Sequence, residues 1–124
     1  MSVILIIEDN ERNLKLVRDL LQVKGYSTLE AVTGEEGVRL AIEHKPDLVL
    51  MDIQLPGISG IDALHILRAN PDTASIPVIA VTASVMQQDR KMITEAGFDA
   101  YVGKPISMKE FLDAVKVGLE GRKS

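Results

Sequence analysis

Three observations predict an α/β fold in which helices cover both faces of a parallel sheet. Short apolar runs recur along the chain, at Val3–Ile7, Leu48–Met51, Val78–Val81 and Ala100–Val102. Runs of four or five apolar residues suit strands buried on both faces, as a parallel sheet requires. Segments with helical spacing separate these runs, which is the mark of a repeating βα unit. A chemically distinctive group then follows each run: Glu8-Asp9, Asp52, Thr82 and Lys104-Pro105. Open parallel sheets bind ligands outside the carboxyl ends of their strands. Three carboxylates, a hydroxyl and an ammonium are therefore expected along one edge, a set suited to a hard cation and a phosphoryl group.

The elements follow in order. After the first strand, a helix is predicted from about Glu11 to Lys24, with Leu16, Val17, Leu20 and Leu21 as its inner stripe and Gly25 as its stop. A second strand covers about Tyr26 to Ala31. Thr33-Gly34-Glu35-Glu36 has the form of a capping box and opens a second helix that ends before Pro46. Val38, Leu40, Ala41 and Ile42 supply its apolar side. The third strand runs into the loop from Asp52 to Gly60, and a third helix, with Ile61, Leu64 and Leu67 at helical spacing, reaches about Asn70. Asn70-Pro71-Asp72 reads as a turn, and a fourth strand follows Pro77. A fourth helix spans about Val85 to Ala96 and stops at Gly97. After the fifth strand, Ser107-Met108-Lys109-Glu110 is a second capping box, opening a helix with Phe111, Leu112, Val115 and Leu119 inward. Strict alternation with right-handed crossovers gives a doubly wound sandwich, whose strand order the pattern alone leaves open.

The chain has 124 residues, enough for a single domain over 1–124 with one core. There is no cysteine, which excludes disulfides, thiol catalysis and cysteine-based metal sites and fits a reducing, cytoplasmic setting. No apolar run approaches the roughly 20 residues of a transmembrane helix, and no membrane partner is expected. The formal net charge is -4, without a basic patch, and the four aromatic residues (Tyr26, Tyr101, Phe98, Phe111) are scattered. Direct nucleic-acid binding is not expected from such a chain. His44 and His65 fall in helical segments away from the strand ends. No Gly-x-Gly-x-x-Gly or Gly-Lys-Ser/Thr loop is present to cradle a nucleotide.

Each mark has two readings. Glu8 and Asp9 either favour the amino end of the first helix, as acids do, or join Asp52 as ligands of a divalent cation. Asp52 is either a turn residue entering the Pro56-Gly57 loop or a nucleophile able to carry an acyl phosphate. Thr82 either caps the fourth helix or donates to a phosphoryl oxygen. Lys104 is either a solvated surface lysine or a point charge for that phosphoryl group.

Taken together and in order, Glu8-Asp9, Asp52 with Pro56 and Gly60, Thr82-Ala83 and Lys104-Pro105 resemble the receiver domain of bacterial two-component response regulators over essentially the whole chain. The resemblance implies a flavodoxin-like fold of strand order 2-1-3-4-5. It implies that Asp52 takes a phosphoryl group from a phosphohistidine on a kinase or histidine phosphotransferase. Magnesium would be held by Asp9, Asp52 and the carbonyl of Gln54, with Glu8 acting through a coordinated water. Thr82, the Ala83 N–H and Lys104 would hold the phosphoryl oxygens, and Tyr101 would turn inward as Thr82 is drawn to the phosphate. A patch of Arg12, Asn13, Leu14, Lys15 and Ile106 is the expected contact for the phosphohistidine partner. The face formed by the fourth helix, fifth strand and fifth helix would contact a downstream regulatory protein. Gln54 and Ser84 flank the expected approach of water.

A finer resemblance, through Glu8-Asp9-Asn10 with Asn13, the run from Met51 to Pro56 and the run from Lys104 to Ser107, is to DivK-type cell-division regulators and to receivers fused to hybrid kinases. The expectation is a stand-alone phosphorylation switch without an output domain. It would be a phosphoacceptor rather than an enzyme, and a monomer or a weak phosphorylation-dependent dimer. The alternatives are a phosphorelay shuttle to a histidine phosphotransferase, a small acyl-phosphate phosphatase, and a binding module that ignores phosphorylation.

Overall fold

The computed structural model describes residues 2–53, 55–82, 87–104 and 106–122, apart from the side chains of 87–90, 92, 121 and 122. Ten elements alternate strictly: β1 (Val3–Ile7), α1 (Glu11–Val23), β2 (Ser27–Ala31), α2 (Gly34–His44), β3 (Leu48–Asp52), α3 (Gly60–Ala69), β4 (Val78–Thr82), α4 (Gln87–Ala96), β5 (Ala100–Gly103) and α5 (Met108–Arg122). All four strand pairings are parallel, and the order is β2-β1-β3-β4-β5, as the resemblance implies.

The apolar runs form the centre of this sheet because only there are both faces covered. Every residue of β3 and β4 is buried, as are Ile4 to Ile7 of β1, whereas the edge strands β2 and β5 are partly exposed. Alternation along the strands divides the core in two. Leu5, Ile7, Val49, Met51, Val78 and Ala80 pack with α2, α3 and α4 through Ala41, Ala63, Leu64, Leu67 and Ile93. Ile4, Ile6, Leu48, Leu50, Ile79, Val81 and Val102 pack with α1 and α5 through Val17, Leu21, Phe111 and Val115.

The inner stripe of α1 is turned from the one expected. Val17 and Leu21 are buried, Leu14 and Leu20 pack partly against the core, and Leu16 faces out at 41% exposure. Leu14, Val17 and Leu21 are spaced by three and four residues and so share one face. Leu16 falls on another face, so the expected stripe was one position too wide. His44 and His65 are exposed, as expected of helical surface residues. The expected start of the fourth helix at Val85, together with Met86, lies outside the described residues; from Gln87 the helix is present.

At the end of the sheet away from the marks, Arg68 binds three segments together. Its Nη1 donates to the carbonyls of Ala74 (3.0 Å) and Ile76 (2.6 Å), and its Nη2 to the Gly97 carbonyl (3.2 Å) and Asp99 Oδ2 (2.8 Å). Asp99 Oδ2 also accepts from the Val78 N–H at 2.7 Å. One guanidinium thus fixes the amino ends of β4 and β5 to the end of α3. Charge-assisted hydrogen bonds are the stronger kind, and this one is only 26% exposed. Replacing Arg68 by Met should destabilise the fold by about 2 kcal/mol, read as a lower urea midpoint, because it strips donors from carbonyls and from Asp99.

Candidate functional site

Strand register assembles the site. Ile7 lies beside Met51, Asp52 beside Val81, and Thr82 beside Gly103. Glu8 and Asp52 are therefore level, with Thr82 one residue and Lys104 two residues further along, all at the carboxyl edge. Alternation then sorts them. Glu8, Asp52 and Lys104 continue the rows Ile4-Ile6, Leu48-Leu50 and Ala100-Val102, which face α1 and α5. Thr82 continues the row Val78-Ala80 and shares the opposite face with Tyr101, which is half-buried against that core.

One oxygen each from Glu8, Asp9 and Asp52 lie within 4.8 Å of one another. Glu8 and Asp52 are buried at 3% and 6% exposure, while Asp9 is exposed. Lys104 Nζ sits between the two buried acids, 2.9 Å from Glu8 Oε1 and 3.2 Å from Asp52 Oδ2. Its side chain is only 16% exposed, so this is not the solvated surface lysine that the residue alone would suggest.

Burial pushes the Glu8 carboxyl up from 4.5 to about 7, and sharing a hydrogen bond with Asp52 adds to this. The hydrogen bonds from Lys104 and from the Asn10 N–H, 3.2 Å from Oε2, offset it only in part. Burial alone would lower the Lys104 ammonium. Its hydrogen bond to Glu8 and the charges of Asp52 and Glu8 outweigh that, and the net direction is upward.

The side-chain cap of α1 is supplied by neither Glu8 nor Asp9. Asn10 is the N-cap of α1, its Oδ1 accepting from the N–H groups of Arg12 (3.0 Å) and Asn13 (3.1 Å). With the cap supplied by Asn10, the acids are released for the site. An Asn directly before a helical stripe is itself a start signal, so this role was readable.

The loop after Asp52 is held by two features, one at the motif's Gly60 and one from Glu35, which the motifs did not disclose. A Cβ on Gly60 would lie 2.5 Å from the Asp52 carbonyl oxygen and 2.9 Å from the Ile53 Cα, so only glycine lets α3 begin this close to the end of β3. The Gly60 N–H donates to the Ile53 carbonyl at 2.9 Å. Glu35, in the first turn of α2, accepts from the Ile58 N–H at 3.3 Å and reaches the loop where Gly57 turns at φ +77. Gln54, Ala83, Ser84 and Pro105 lie outside the described residues. In the expected partner patch, Arg12 and Lys15 are exposed and Asn13 is half-buried. Leu14 and Ile106 instead pack partly against the core with Leu20 and Leu112.

This donor set suits a hard cation. Three carboxylates and one ammonium leave two negative charges when all are ionised, which a divalent ion balances. Magnesium favours oxygen-only sites with few direct carboxylates and retained waters.

A family model for the response regulator receiver domain matches residues 4–116. The chain belongs to that family, the receivers of two-component signalling. It is 47% identical over 113 residues to the polar-differentiation response regulator DivK of Brucella anthropi, covering 91% of this chain and 92% of that protein. Among solved structures it is similar to the receiver domain of the sensor histidine kinase PA1611 of Pseudomonas aeruginosa, which has a magnesium ion coordinated in its active-site cleft. The TM-score is 0.90 at 31% identity, covering 96% of this chain and 98% of that one. It is also similar to the signal receiver domain of a histidine kinase from Syntrophus aciditrophicus, with a TM-score of 0.89 at 30% identity, covering 98% and 92%.

The raised Glu8 carboxyl has a consequence for metal-free protein. Between about 4.5 and about 7 the folded state holds a proton that the unfolded state has released. The Glu8 contribution to stability is therefore complete below 4.5 and is lost as pH rises through about 7. Urea midpoints of wild type relative to Glu8→Gln should fall across that window in chelator. Parallel profiles for the two proteins would contradict the assignment.

Proposed function

We propose that Asp52 accepts a phosphoryl group from a phosphohistidine on a sensor kinase or histidine phosphotransferase, and that the chain signals by altered contacts with other proteins. The observation that carries this reading is Lys104 Nζ held between Glu8 and Asp52 at 2.9 and 3.2 Å. That ammonium stands where negative charge gathers when Asp52 carries a phosphoryl group.

In the transfer, a carboxylate oxygen of Asp52 forms a bond to phosphorus as the phosphorus–nitrogen bond of the donor breaks. The electron pair of that bond returns to the imidazole nitrogen. Glu8, Asp9 and Asp52 would hold magnesium, with the Gln54 carbonyl added by family resemblance, and the ion would supply neutralising charge at the phosphoryl oxygens. Lys104 exchanges its Asp52 contact for a phosphoryl oxygen and keeps its contact with Glu8. The Thr82 hydroxyl and the Ala83 N–H donate to the remaining oxygens. The new group brings roughly -1.5 to -2 charges and three acceptors to one point, which draws Thr82 and lets Tyr101, on the same face, move with it. The α4–β5–α5 face carries that change to a downstream regulator. The phosphohistidine partner meets Arg12, Asn13 and Lys15 at the start of α1. Leu16, rather than the more enclosed Leu14, supplies the exposed apolar contact there. The reading places the chain in the cytoplasm with its kinase, as a phosphoacceptor that takes part in its own phosphorylation and dephosphorylation.

Similarity to receivers of histidine kinases supports a second reading, a relay that passes the phosphoryl group on to a histidine phosphotransferase. Fast loss of label to such a protein selects the relay; a long-lived aspartyl phosphate selects the switch.

The experiment is transfer from radiolabelled histidine kinases in magnesium. Wild type should be labelled and Asp52→Ala should not, while its circular dichroism stays native. Lys104→Met should be labelled about 100-fold more slowly, the usual order for loss of one charge-stabilising group. Label on Asp52→Ala at wild-type stoichiometry would overturn the assignment.

A further inference from the structure

Between α1 and α5 lies a groove of about 480 Å³ that the proposed phosphotransfer does not use. Val23, Met108 and Leu112 line it with apolar surface, and Lys24, Lys109 and Lys116 rim it. Val23 is 83% exposed and Met108 60%. Two of the six large apolar side chains exposed among the described residues thus line this groove. An exposed apolar group with a polar rim is the common form of an interaction surface.

Charge selects the occupant. The whole chain carries -4, yet this groove sets three ammonium groups against the single carboxylate of Asp113. Among the described residues, none of the three lysines is ion-paired. Lysine stems lie along apolar surface while their heads remain free to meet an anion. A furrow between two helices accepts the ridge of a third.

We propose that the α1–α5 groove docks an amphipathic helix of a partner protein, with an apolar ridge against Val23, Met108 and Leu112 and acidic flanks against Lys24, Lys109 and Lys116. None of these residues belongs to the carboxylate site, so the inference stands apart from phosphorylation of Asp52.

The test titrates the whole 15N-labelled chain with a synthetic helix bearing leucines at i, i+3, i+4 and i+7 and glutamates on both flanks. A matched peptide with lysines in place of the glutamates and vesicles of phosphatidylglycerol are the comparisons. The acidic peptide should shift the amides of Val23, Lys24, Met108, Lys109, Leu112 and Lys116, with binding that weakens as salt rises. The double variant Lys109→Glu/Lys116→Glu should raise its Kd about tenfold, and Asp52→Ala should leave it unchanged. Shifts absent from the groove, equal affinity for the lysine peptide, or binding to vesicles with no response to the acidic peptide would overturn the proposal. Loss of kinase labelling with peptide binding intact would instead count against the phosphoacceptor reading alone.

Discussion

Three carboxylates crowded at one edge of a sheet are the constraint to which the rest of this structure answers. One oxygen from each lies within 4.8 Å of the others, and two of the three groups are buried. Lys104 answers part of that crowding by bridging Glu8 and Asp52. Burial, with the shared hydrogen bond to Asp52, pushes the Glu8 carboxyl up to about 7. The surrounding chain is arranged to keep the crowding in place. Asn10 takes over the capping of α1, Gly60 lets α3 begin against the Asp52 carbonyl, and Glu35 pins the loop that follows.

The two faces of the sheet divide the work. Glu8, Asp52 and Lys104 belong to the rows that face α1 and α5, where the proposed phosphohistidine partner approaches. Thr82 and Tyr101 belong to the opposite rows, against α3 and α4. In the proposed switch, a charge placed on Asp52 would reach the second face through Thr82, whose carbonyl accepts from the Lys104 N–H at 2.8 Å. At their other ends β4 and β5 are tied to α3 by Arg68 and Asp99. With those ends fixed, the proposed rearrangement would be confined to the carboxyl ends, where the phosphoryl group would sit.

Much of this was legible in the residues. The apolar runs announced the strands because burial on both faces leaves little choice of composition, and the capping residues Thr33 and Ser107 sat where helices α2 and α5 begin. The groups that end the strands were legible as chemistry. Their convergence followed from the rule that parallel sheets bind at that edge. What escaped was whatever depends on contacts distant in sequence. Lys104 has no local feature separating it from a solvated lysine; its burial comes from β1 and β3. Arg68 meets Gly97 and Asp99 only after two crossovers. The facing of α1 was misjudged because Leu14, Leu16, Leu20 and Leu21 admit more than one apolar stripe, and packing against the sheet and α5 decides among them. Strand order came from the family resemblance, since alternation of βα units is compatible with several orders.

The central claim is that the carboxylate edge, with a divalent cation, makes Asp52 the phosphorylated residue. The most direct measurement uses a small phosphodonor such as acetyl phosphate, with magnesium or with chelator. Borohydride reduction then converts any aspartyl phosphate to homoserine, located by peptide mass spectrometry. Homoserine at position 52 alone, formed in magnesium and absent in chelator, is the predicted result. Modification at Asp9 or elsewhere, or equal modification in chelator, would contradict the account.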